Sequence, residues 1–428
     1  VIDAVKTFAS RFSKHAKEMS LNAEKKRQEE LLEISRICAK VPYEPASNFY
    51  EAIHAVWVVQ LILQIESNGH SVSYGRFDQY MYPFYKKDID EGFITDDEVV
   101  ELLDNLWIKT TTINKVRSQA HTFSSAGSPM YQNVTIGGQT TDKKDAVNAL
   151  SFLVLKSVAQ TRLPQPNLTV RYHKNLDAHF FDEAIEVMKL GTGMPAFNND
   201  EVIIPSLMSR GVTLEDARDY NIIGCVEPQK AGKTDGWHDA AFFNMCRPLE
   251  LVFHNGKDKG VQVGPQTGNV EDMDTFEKFY HAYKVQMEYM IKLLVNADNA
   301  IDMAHAERCP LPFLSSMIDD CMKSGKSVQE GGAVYNFTGP QGFGIANMAD
   351  SLYAIRKLVY EDKKVSMEEY KQALAWNYDK GLDQQSVSDM SEMILKGMQD
   401  AGMAVNTDTA KAVLQTVMRL KPTEDQLR

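Results

Sequence analysis

The stretch YNIIGCVEP at residues 220–228 is the most informative part of the chain, because it joins a short apolar run to a thiol and a carboxylate. Residues 220–223 predict a buried strand. Alternate side chains of a strand point to the same side, so a strand that continues through the motif turns Cys225 and Glu227 towards one cavity, about 6–7 Å apart. Gly224 permits a close backbone approach. We interpret this thiol and carboxylate as a chemical site.

Other short apolar runs, at residues 134–136, 168–170 and 202–204, predict further strands between helices. Short apolar strands separated by helices are typical of a parallel α/β sheet or barrel. In such folds functional residues lie on loops beyond the carboxyl ends of the strands, and Cys225 occupies such a position. With no repeat or linker in the chain, we predict an α/β fold in one domain, or part of one.

Helix signals dominate the remainder of the chain. Capping boxes at residues 95–98 and 366–369 each precede an apolar periodic run. Ser47 is predicted to cap a helix that ends at about Glu66. Further helices are predicted at residues 1–40, 275–295 and 386–403.

The composition excludes several classes of function. The chain has 428 residues, of which 43% are hydrophobic and 24% charged, as in soluble globular proteins. A net charge of −12 argues against nucleic-acid binding. The most apolar run, residues 55–65, is too short to span a membrane and contains Gln60 and Gln64. The five cysteines are widely spaced and form no Cys-x-x-Cys pair, which favours a reducing cytoplasm.

Several polar residues have both a structural and a functional interpretation. His238 and Asp239 could orient a base, bind a metal or bind a polar ligand; the structural alternative makes Asp239 the N-cap of a helix over residues 240–246. Capping by Gly69 leaves His70 and Ser71 unexplained. Tyr131 precedes a predicted strand, where most tyrosines simply pack, and residues 339–344 predict a tight ordered loop. His305 lacks a second histidine at metal spacing, so no metal is expected.

The motifs together resemble those of the glycyl radical enzymes. GCVEPQ at 224–229, followed by GWHDAAFFN at 236–244, closely resembles the active-site cysteine region of that family. Further similar segments are ESNGHS at 66–71, QPNLTVR at 165–171, GMPAFNND at 193–200 and NFTGPQG at 336–342. The resemblance implies that residues 1–428 form the central part of the family's α/β barrel domain, with surrounding helices.

The resemblance also narrows the range of expected substrates. Pyruvate formate-lyase uses two adjacent cysteines, whereas Cys225 stands alone. The B12-independent glycerol and 1,2-propanediol dehydratases fit better, because they carry a histidine, a tyrosine and an aspartate in the segments that match His70, Tyr131 and Asp239. Choline trimethylamine-lyase and isethionate sulfite-lyase stay open as alternatives.

One departure from the family concerns the cofactor. These enzymes keep a radical on a glycine in a C-terminal Arg-Val-x-Gly-Tyr-like loop, and no such sequence occurs here. We therefore expect the N-terminal part of the barrel and the glycine-radical domain to be absent from this chain, and the radical glycine to lie outside it. Neither B12 nor a metal is expected. A non-catalytic fragment or a split subunit is the alternative.

The resemblance implies a mechanism and partners. A thiyl radical on Cys225 takes hydrogen from a small vicinal diol, Glu227 accepts a hydroxyl proton, and water leaves to give an aldehyde. His70, Ser71, Tyr131 and Asp239 bind the substrate. The resemblance further implies a homodimer that is activated by a radical S-adenosylmethionine enzyme. The expected location is an anaerobic cytoplasm, and enclosure in a microcompartment is an open alternative. The rival chemistry is ionic, with Cys225 as nucleophile and His238 as base.

Overall fold

The structure, a computed structural model, describes residues 1–67, 69, 71–125, 130–237 and 240–375. The chain divides into two compact units, one comprising Val1–Ala241 and Ala297–Gln341, the other Phe242–Asn296 and Gly342–Arg428. Within the described ranges, every helix is either too short or too polar to span a lipid bilayer.

Short strands and longer helices alternate along the described residues. The helices are α1 Ile2–Ser20, α2 Lys25–Lys40, α3 Phe49–Ser67, α4 Phe77–Tyr80, α5 Tyr82–Asp90, α6 Asp96–Thr112, α7 Gln119–Ser125, α8 Ala149–Thr161, α9 Ala178–Met188, α10 Asp200–Ser209, α11 Leu214–Arg218, α12 Arg247–Phe253, α13 Phe276–Arg308, α14 Pro312–Ser315, α15 Cys321–Ser324, α16 Ile345–Ala354 and α17 Met367–Ala375. The strands are β1 Gly75–Arg76, β2 Asn133–Gly137, β3 Asn167–Tyr172, β4 Ala196–Asn199, β5 Asn221–Ile223, β6 Glu227–Gln229, β7 Thr234–Trp237, β8 Phe242–Asn244, β9 Lys257–Asp258, β10 Val261–Gln262, β11 Tyr335–Thr338 and β12 Gln341–Phe343.

A parallel sheet in the order β1-β2-β3-β4 forms the centre of the first unit. Val134 of β2 pairs with Leu168 of β3, and Val170 of β3 pairs with Phe197 of β4. Helices α8 and α9 provide the crossovers between successive strands, as parallel pairing requires. The strands predicted at residues 134–136 and 168–170 are confirmed.

The core of the first unit lies between this sheet and the helices that cover it. Ile136 from the sheet and Leu103, Trp107, Leu150 and Phe180 from α6, α8 and α9 are fully buried in one cluster. Every residue of β2 is buried, as expected for a parallel strand covered on both faces. The apolar sequence of the strands therefore follows from their place inside the α/β layers.

A buried ion pair lies beside the sheet. Nε and Nη2 of Arg171 on β3 donate hydrogen bonds of 2.9 Å to the two carboxylate oxygens of Asp200, at the start of α10, and both side chains are fully buried. The same guanidinium donates to the carbonyl oxygens of Arg218 and Tyr220, each at 2.8 Å. The hydroxyl of Tyr220 donates to Asp200 at 2.8 Å. One cation thus ties β3 and α10 to the backbone that enters β5.

Residues 202–204 lie in α10, so the strand predicted there is wrong. Asn199 caps the helix by accepting a hydrogen bond from the backbone nitrogen of Glu201 at 2.9 Å. Asp200 and Glu201 add acidic charge in the first turn, which favours a helix N-terminus. The apolar run is short enough to suit either structure, and the cap decides in favour of the helix.

The predicted helix boundaries are mostly correct. The capping boxes at Thr95 and Ser366 begin α6 and α17 as predicted, whereas α3 is capped by Asn48, which accepts from the nitrogen of Glu51, and not by Ser47. Residues 1–40 form two helices, and the helix predicted at 275–295 lies within the longer α13. The helix predicted at 386–403 lies outside the described residues.

The second unit has a core of its own. Phe253 at the end of α12 packs against Phe279 of α13, with ring centroids 5.5 Å apart, and stacks on Tyr370 of α17 at 6.1 Å. Leu352 and Ile355, at the junction of α16 with a π-helix over Ile355–Glu361, belong to the same cluster. Aromatic pairs of this kind add to the free energy of apolar burial.

We predict that Arg171→Leu lowers the free energy of unfolding by about 3–5 kcal/mol, because it leaves Asp200 charged and buried without its partner. Denaturant unfolding of the variant and parent chains measures this loss. The control is Lys189→Leu, which removes an ion pair with Glu186 whose side chains are 62% and 65% exposed. The control should change stability by less than about 0.5 kcal/mol. Equal effects of the two substitutions would contradict the structural role of Arg171.

Candidate active site

The candidate thiol lies at the tip of a hairpin. Strands β5 and β6 pair antiparallel, with Ile223 opposite Glu227, and residues 224–226 form the turn. Gly224 has a φ of 56°, in the left-handed region that glycine adopts without a steric penalty. Cys225 therefore lies on the loop beyond the carboxyl end of β5, as predicted, and is exposed. The prediction that strand geometry continues from Cys225 to Glu227 is wrong, because the chain reverses direction between them.

The carboxylate of Glu227 nevertheless turns back towards residues 224–226, the thiol loop. Oε2 accepts a hydrogen bond of 2.9 Å from the backbone nitrogen of Val226, and Oε1 accepts one of 2.9 Å from Nε2 of Gln341. A Cβ placed on Gly224 would lie 2.9 Å from both Oε2 of Glu227 and Oγ of Ser71. The carboxylate of Glu227 and the hydroxyl of Ser71 therefore flank Gly224, next to Cys225.

The hydroxyl of Ser73 joins the segments that form this site. Its Oγ accepts hydrogen bonds from the backbone nitrogens of Asn133 at 2.9 Å and Gly224 at 3.1 Å. It donates to the carbonyl oxygen of Ser71 at 2.9 Å. Asn133 adds a longer bond from Nδ2 to the carbonyl oxygen of Gly224 at 3.4 Å. The thiol loop is thus fixed to the loop before β1 and to the start of β2.

Ser71 and Tyr131, two predicted substrate residues, share an unusual backbone conformation. Their φ angles are 68° and 52°, in the left-handed region that residues with side chains rarely adopt. The nitrogen of Ser71 donates to the carbonyl oxygen of Met130 at 2.9 Å, so the two strained positions lie on adjoining loops. Each costs about 1–3 kcal/mol and persists only where its surroundings enforce it, which is typical of functional sites.

Buried amides support these two loops. Nε2 of Gln60 on α3 donates to the carbonyl oxygen of Val72 at 2.7 Å and to Oε1 of Gln132 at 2.9 Å. The nitrogen of Gln132 donates to Oε1 of Gln165 at 2.7 Å. In the sequence, Gln60 and Gln64 interrupt an apolar helix four residues apart. This spacing is the signal that could have revealed the network, because buried amides require partners.

Charged groups fix the chain just before β5. Asp219 forms ion pairs with Arg76 of β1 at 2.7 Å and with Lys230 at 2.8 Å. Burial of Asp219 raises the pKa of its carboxyl, but the two cations outweigh burial and hold that pKa below its usual value. Asp219 therefore remains ionised and links β1 to the segment that carries the thiol.

The other predicted residues have different outcomes. His70, His238 and Asp239 lie outside the described residues, so their roles stay predictions. The alternative in which Asp239 caps a helix over residues 240–246 is wrong, because β8 occupies Phe242–Asn244. Among the residues that the structure describes, no group of three His, Cys, Asp or Glu side chains could hold a metal ion. Ser73 and Gln341 belong to the site and had not been predicted.

We predict that Gly224→Ala destabilises the protein more than Gly232→Ala. Both glycines have positive φ, but nothing lies within 4 Å of a Cβ on Gly232, whereas one on Gly224 meets Glu227 and Ser71 at 2.9 Å. Backbone strain alone costs about 1 kcal/mol at either position. The excess for Gly224→Ala in denaturant unfolding therefore measures close packing at the site, and its absence would show that the site is not closely packed.

We also predict that Ser73→Ala lowers the free energy of unfolding by about 1–3 kcal/mol, because it deprives the nitrogens of Asn133 and Gly224 of an acceptor. Hydrogen exchange of residues 222–228 should become faster. Ser10→Ala, which removes an exposed hydroxyl bonded to the carbonyl oxygen of Lys6, is the control and should have little effect. Unchanged exchange in Ser73→Ala would refute the role assigned to this hydroxyl.

Comparison with known proteins places this geometry in a family. The family model described as pyruvate formate lyase-like matches residues 1–396. A structure concerning 1,2-propanediol dehydration in Roseburia inulinivorans is 53% identical, with a TM-score of 0.88, and is covered over 50% of its length by 91% of this chain. The glycerol-bound B12-independent glycerol dehydratase of Clostridium butyricum is 51% identical, with a TM-score of 0.86 and coverage of 49% of its length by 91% of this chain.

A curated relative agrees with these structures. The probable dehydratase YbiW of Escherichia coli is 38% identical over 390 residues, which are 89% of this chain and 48% of YbiW. This chain thus spans about half the length of the relatives it matches. The predicted α/β barrel fold is confirmed by the structural matches. The chain belongs to the pyruvate formate lyase-like family of glycyl radical enzymes.

Proposed function

We propose that this chain carries the substrate-activating part of a radical dehydratase that eliminates water from a small vicinal diol to give an aldehyde. The observation that carries the proposal is the exposed Cys225 at the hairpin tip, with the carboxylate of Glu227 and the hydroxyl of Ser71 flanking the adjacent Gly224. A thiol, a base and a hydroxyl around one small space suit hydrogen-atom transfer combined with proton transfer from an alcohol.

Cys225 acts as the relay for hydrogen. A glycyl radical of this family, which we place on a glycine outside this chain, would accept the hydrogen atom of the Cys225 S–H group, so that the unpaired electron would pass to the sulfur. The hairpin tip suits this role, because Cys225 is exposed rather than packed among apolar side chains. Its sulfur radical takes a hydrogen atom from C1 of the diol, which forms the S–H bond and leaves the unpaired electron on C1.

Glu227 acts as the general base. Its carboxylate accepts the proton of the C1 hydroxyl, and the resulting anionic carbon radical expels the C2 oxygen more readily than the neutral radical does. The C2–O bond breaks, the leaving hydroxide takes up the proton that Glu227 had accepted, and water departs. The product radical at C2 then recovers a hydrogen atom from Cys225. Proton transfer by a positioned side chain contributes about 10²–10⁴-fold to a rate.

The diol is favoured over other substrates by the pattern of similarity. The structures concerned with 1,2-propanediol and glycerol are 53% and 51% identical to this chain, whereas the isethionate sulfite-lyases are 33–35% identical. We assign binding of the two hydroxyls to Ser71, His70 and Asp239, and contact with the rest of the substrate to Tyr131.

The proposal extends to partners and surroundings. Cys225 is exposed in this chain, so the proposal requires the whole protein to exclude water from it, because exclusion of water prevents side reactions of a reactive intermediate. It also includes activation by a radical S-adenosylmethionine enzyme, a homodimer, and an anaerobic cytoplasm or a microcompartment within it. These features belong to the whole protein and follow from the family resemblance.

The test is a graft of residues 1–375 into the full-length glycerol dehydratase of Clostridium butyricum, activated without oxygen. We expect aldehyde from propane-1,2-diol or glycerol in preference to turnover of choline or isethionate. Cys225→Ala should abolish the product, and Glu227→Gln should lower kcat by about 10²–10⁴-fold. The control Cys309→Ala, which changes another exposed thiol, should keep the parental rate. Parental rates in the Cys225 or Glu227 variants would refute the assignment.

A further inference from the structure

Residues 339–344, a sequence motif that the function leaves unused, were predicted as a tight loop but include strand β12 at Gln341–Phe343, and they place one side chain at the candidate site. We propose that Gln341 is a positioning residue that holds the base Glu227 in its reactive orientation. This inference rests on the proposed function, because it takes the carboxylate of Glu227 to be the base. It adds a residue to the site from a segment 114 positions away in the chain.

A hydrogen bond joins Gln341 directly to Glu227. Nε2 of Gln341 donates to Oε1 of Glu227 at 2.9 Å. An ionised carboxylate can only accept hydrogen bonds, so the nitrogen end of the amide must face it. Oε2 accepts a hydrogen bond from the backbone nitrogen of Val226, also at 2.9 Å. Each carboxylate oxygen thus has an N–H donor, and the rotation of the group about its terminal torsion is restrained.

Backbone pairing fixes the position of Gln341. Strand β11 pairs with β7, and Thr338, the last residue of β11, lies opposite Trp237 in the register. The chain then passes Gly339 and Pro340, and the nitrogen of Gln341 donates to the carbonyl oxygen of Ala241 at 2.8 Å. Backbone pairing before and at Gln341 therefore fixes where its side chain begins. Ala241 follows the candidate substrate residue Asp239 by two positions.

Gln341 orients Glu227 and does not contribute to an apolar core. Gln341 and Glu227 are both only partly buried and belong to none of the buried apolar clusters. The amide of Gln341 therefore orients the carboxylate of Glu227 and adds no apolar contact. Replacement by methionine, which has a similar length but no N–H, should leave the fold intact while freeing the carboxylate to rotate away from the substrate hydroxyl.

The consequence for catalysis concerns kcat more than KM. A base displaced by about 1 Å can cost about 10²-fold in rate. The diol hydroxyls have partners of their own, so binding of the substrate should change little. An interaction that matters only in the transition state lowers kcat and kcat/KM together. Gln341→Met should therefore lower kcat by about 10–100-fold and change KM by less than about threefold.

The experiment uses the anaerobically activated full-length graft described above and a cycle of four proteins: parent, Gln341→Met, Glu227→Gln, and the double variant. If Gln341 acts through Glu227, Gln341→Met costs about 10–100-fold in the parent but less than about twofold once Glu227 is already replaced. The control Gln28→Met removes a side-chain amide that bonds the carbonyl oxygen of Ser20 and should keep the parental kcat. Thermal unfolding midpoints of Gln341→Met and the parent should agree within a few degrees.

Two results overturn the inference: a parental kcat in Gln341→Met, or an equal loss with and without Glu227, which is the behaviour of a merely structural residue. Failure of the proposed function is distinguishable. A graft that turns over isethionate or choline but no diol contradicts the diol proposal and still tests Gln341 with the accepted substrate. A graft without any turnover contradicts the proposed function, and non-additive shifts of the two substitutions in the unfolding midpoint then test the hydrogen bond by itself.

Discussion

The buried ion pair between Arg171 and Asp200 is the constraint on which the rest of this structure depends. The guanidinium lies beside the sheet with no access to solvent and bonds the carboxylate with two of its nitrogens. It also holds the carbonyl oxygen of Tyr220, one residue before β5. Because an unpaired buried charge costs several kcal/mol, the backbone that enters β5 has little freedom. This ion pair is therefore an anchor that helps to fix the position of the thiol loop, which follows β5.

From that anchor, polar contacts rather than apolar packing assemble the site. Ser73 binds the thiol loop to the start of β2, and Gln341 binds Glu227 from the far end of the first unit. The strained backbones of Ser71 and Tyr131 lie on the neighbouring loops. Buried hydrogen-bond networks are rigid when every member has partners, because an unmet bond is costly in a medium of low polarity. A rigid frame around an exposed sulfur suits a thiol that must meet a substrate in one orientation.

The sequence predicted what depends on neighbouring residues and missed what depends on distant ones. The strands at 134–136 and 168–170 and the capping box at Thr95 were predictable, because apolar runs and caps are local signals. The strand predicted at 202–204 failed because a cap at Asn199 outweighs three apolar residues. The cysteine motif located the thiol, but not the reversal at Gly224 that places Cys225 and Glu227 on a hairpin. Ser73, which binds Gly224, and Gln341, which binds Glu227, lie 151 and 114 positions away from them, and no local pattern reveals these contacts.

In the proposed mechanism, the sulfur of Cys225 carries one hydrogen atom from C1 of the diol to C2 of the product, while Glu227 takes only a proton. The most direct test uses propane-1,2-diol with deuterium at both C1 positions, turned over in ordinary water by the activated graft, with the product analysed by mass spectrometry and NMR. We expect propanal with one deuterium at C1 and one at C2. Propanal whose C2 has gained hydrogen only from water would contradict it.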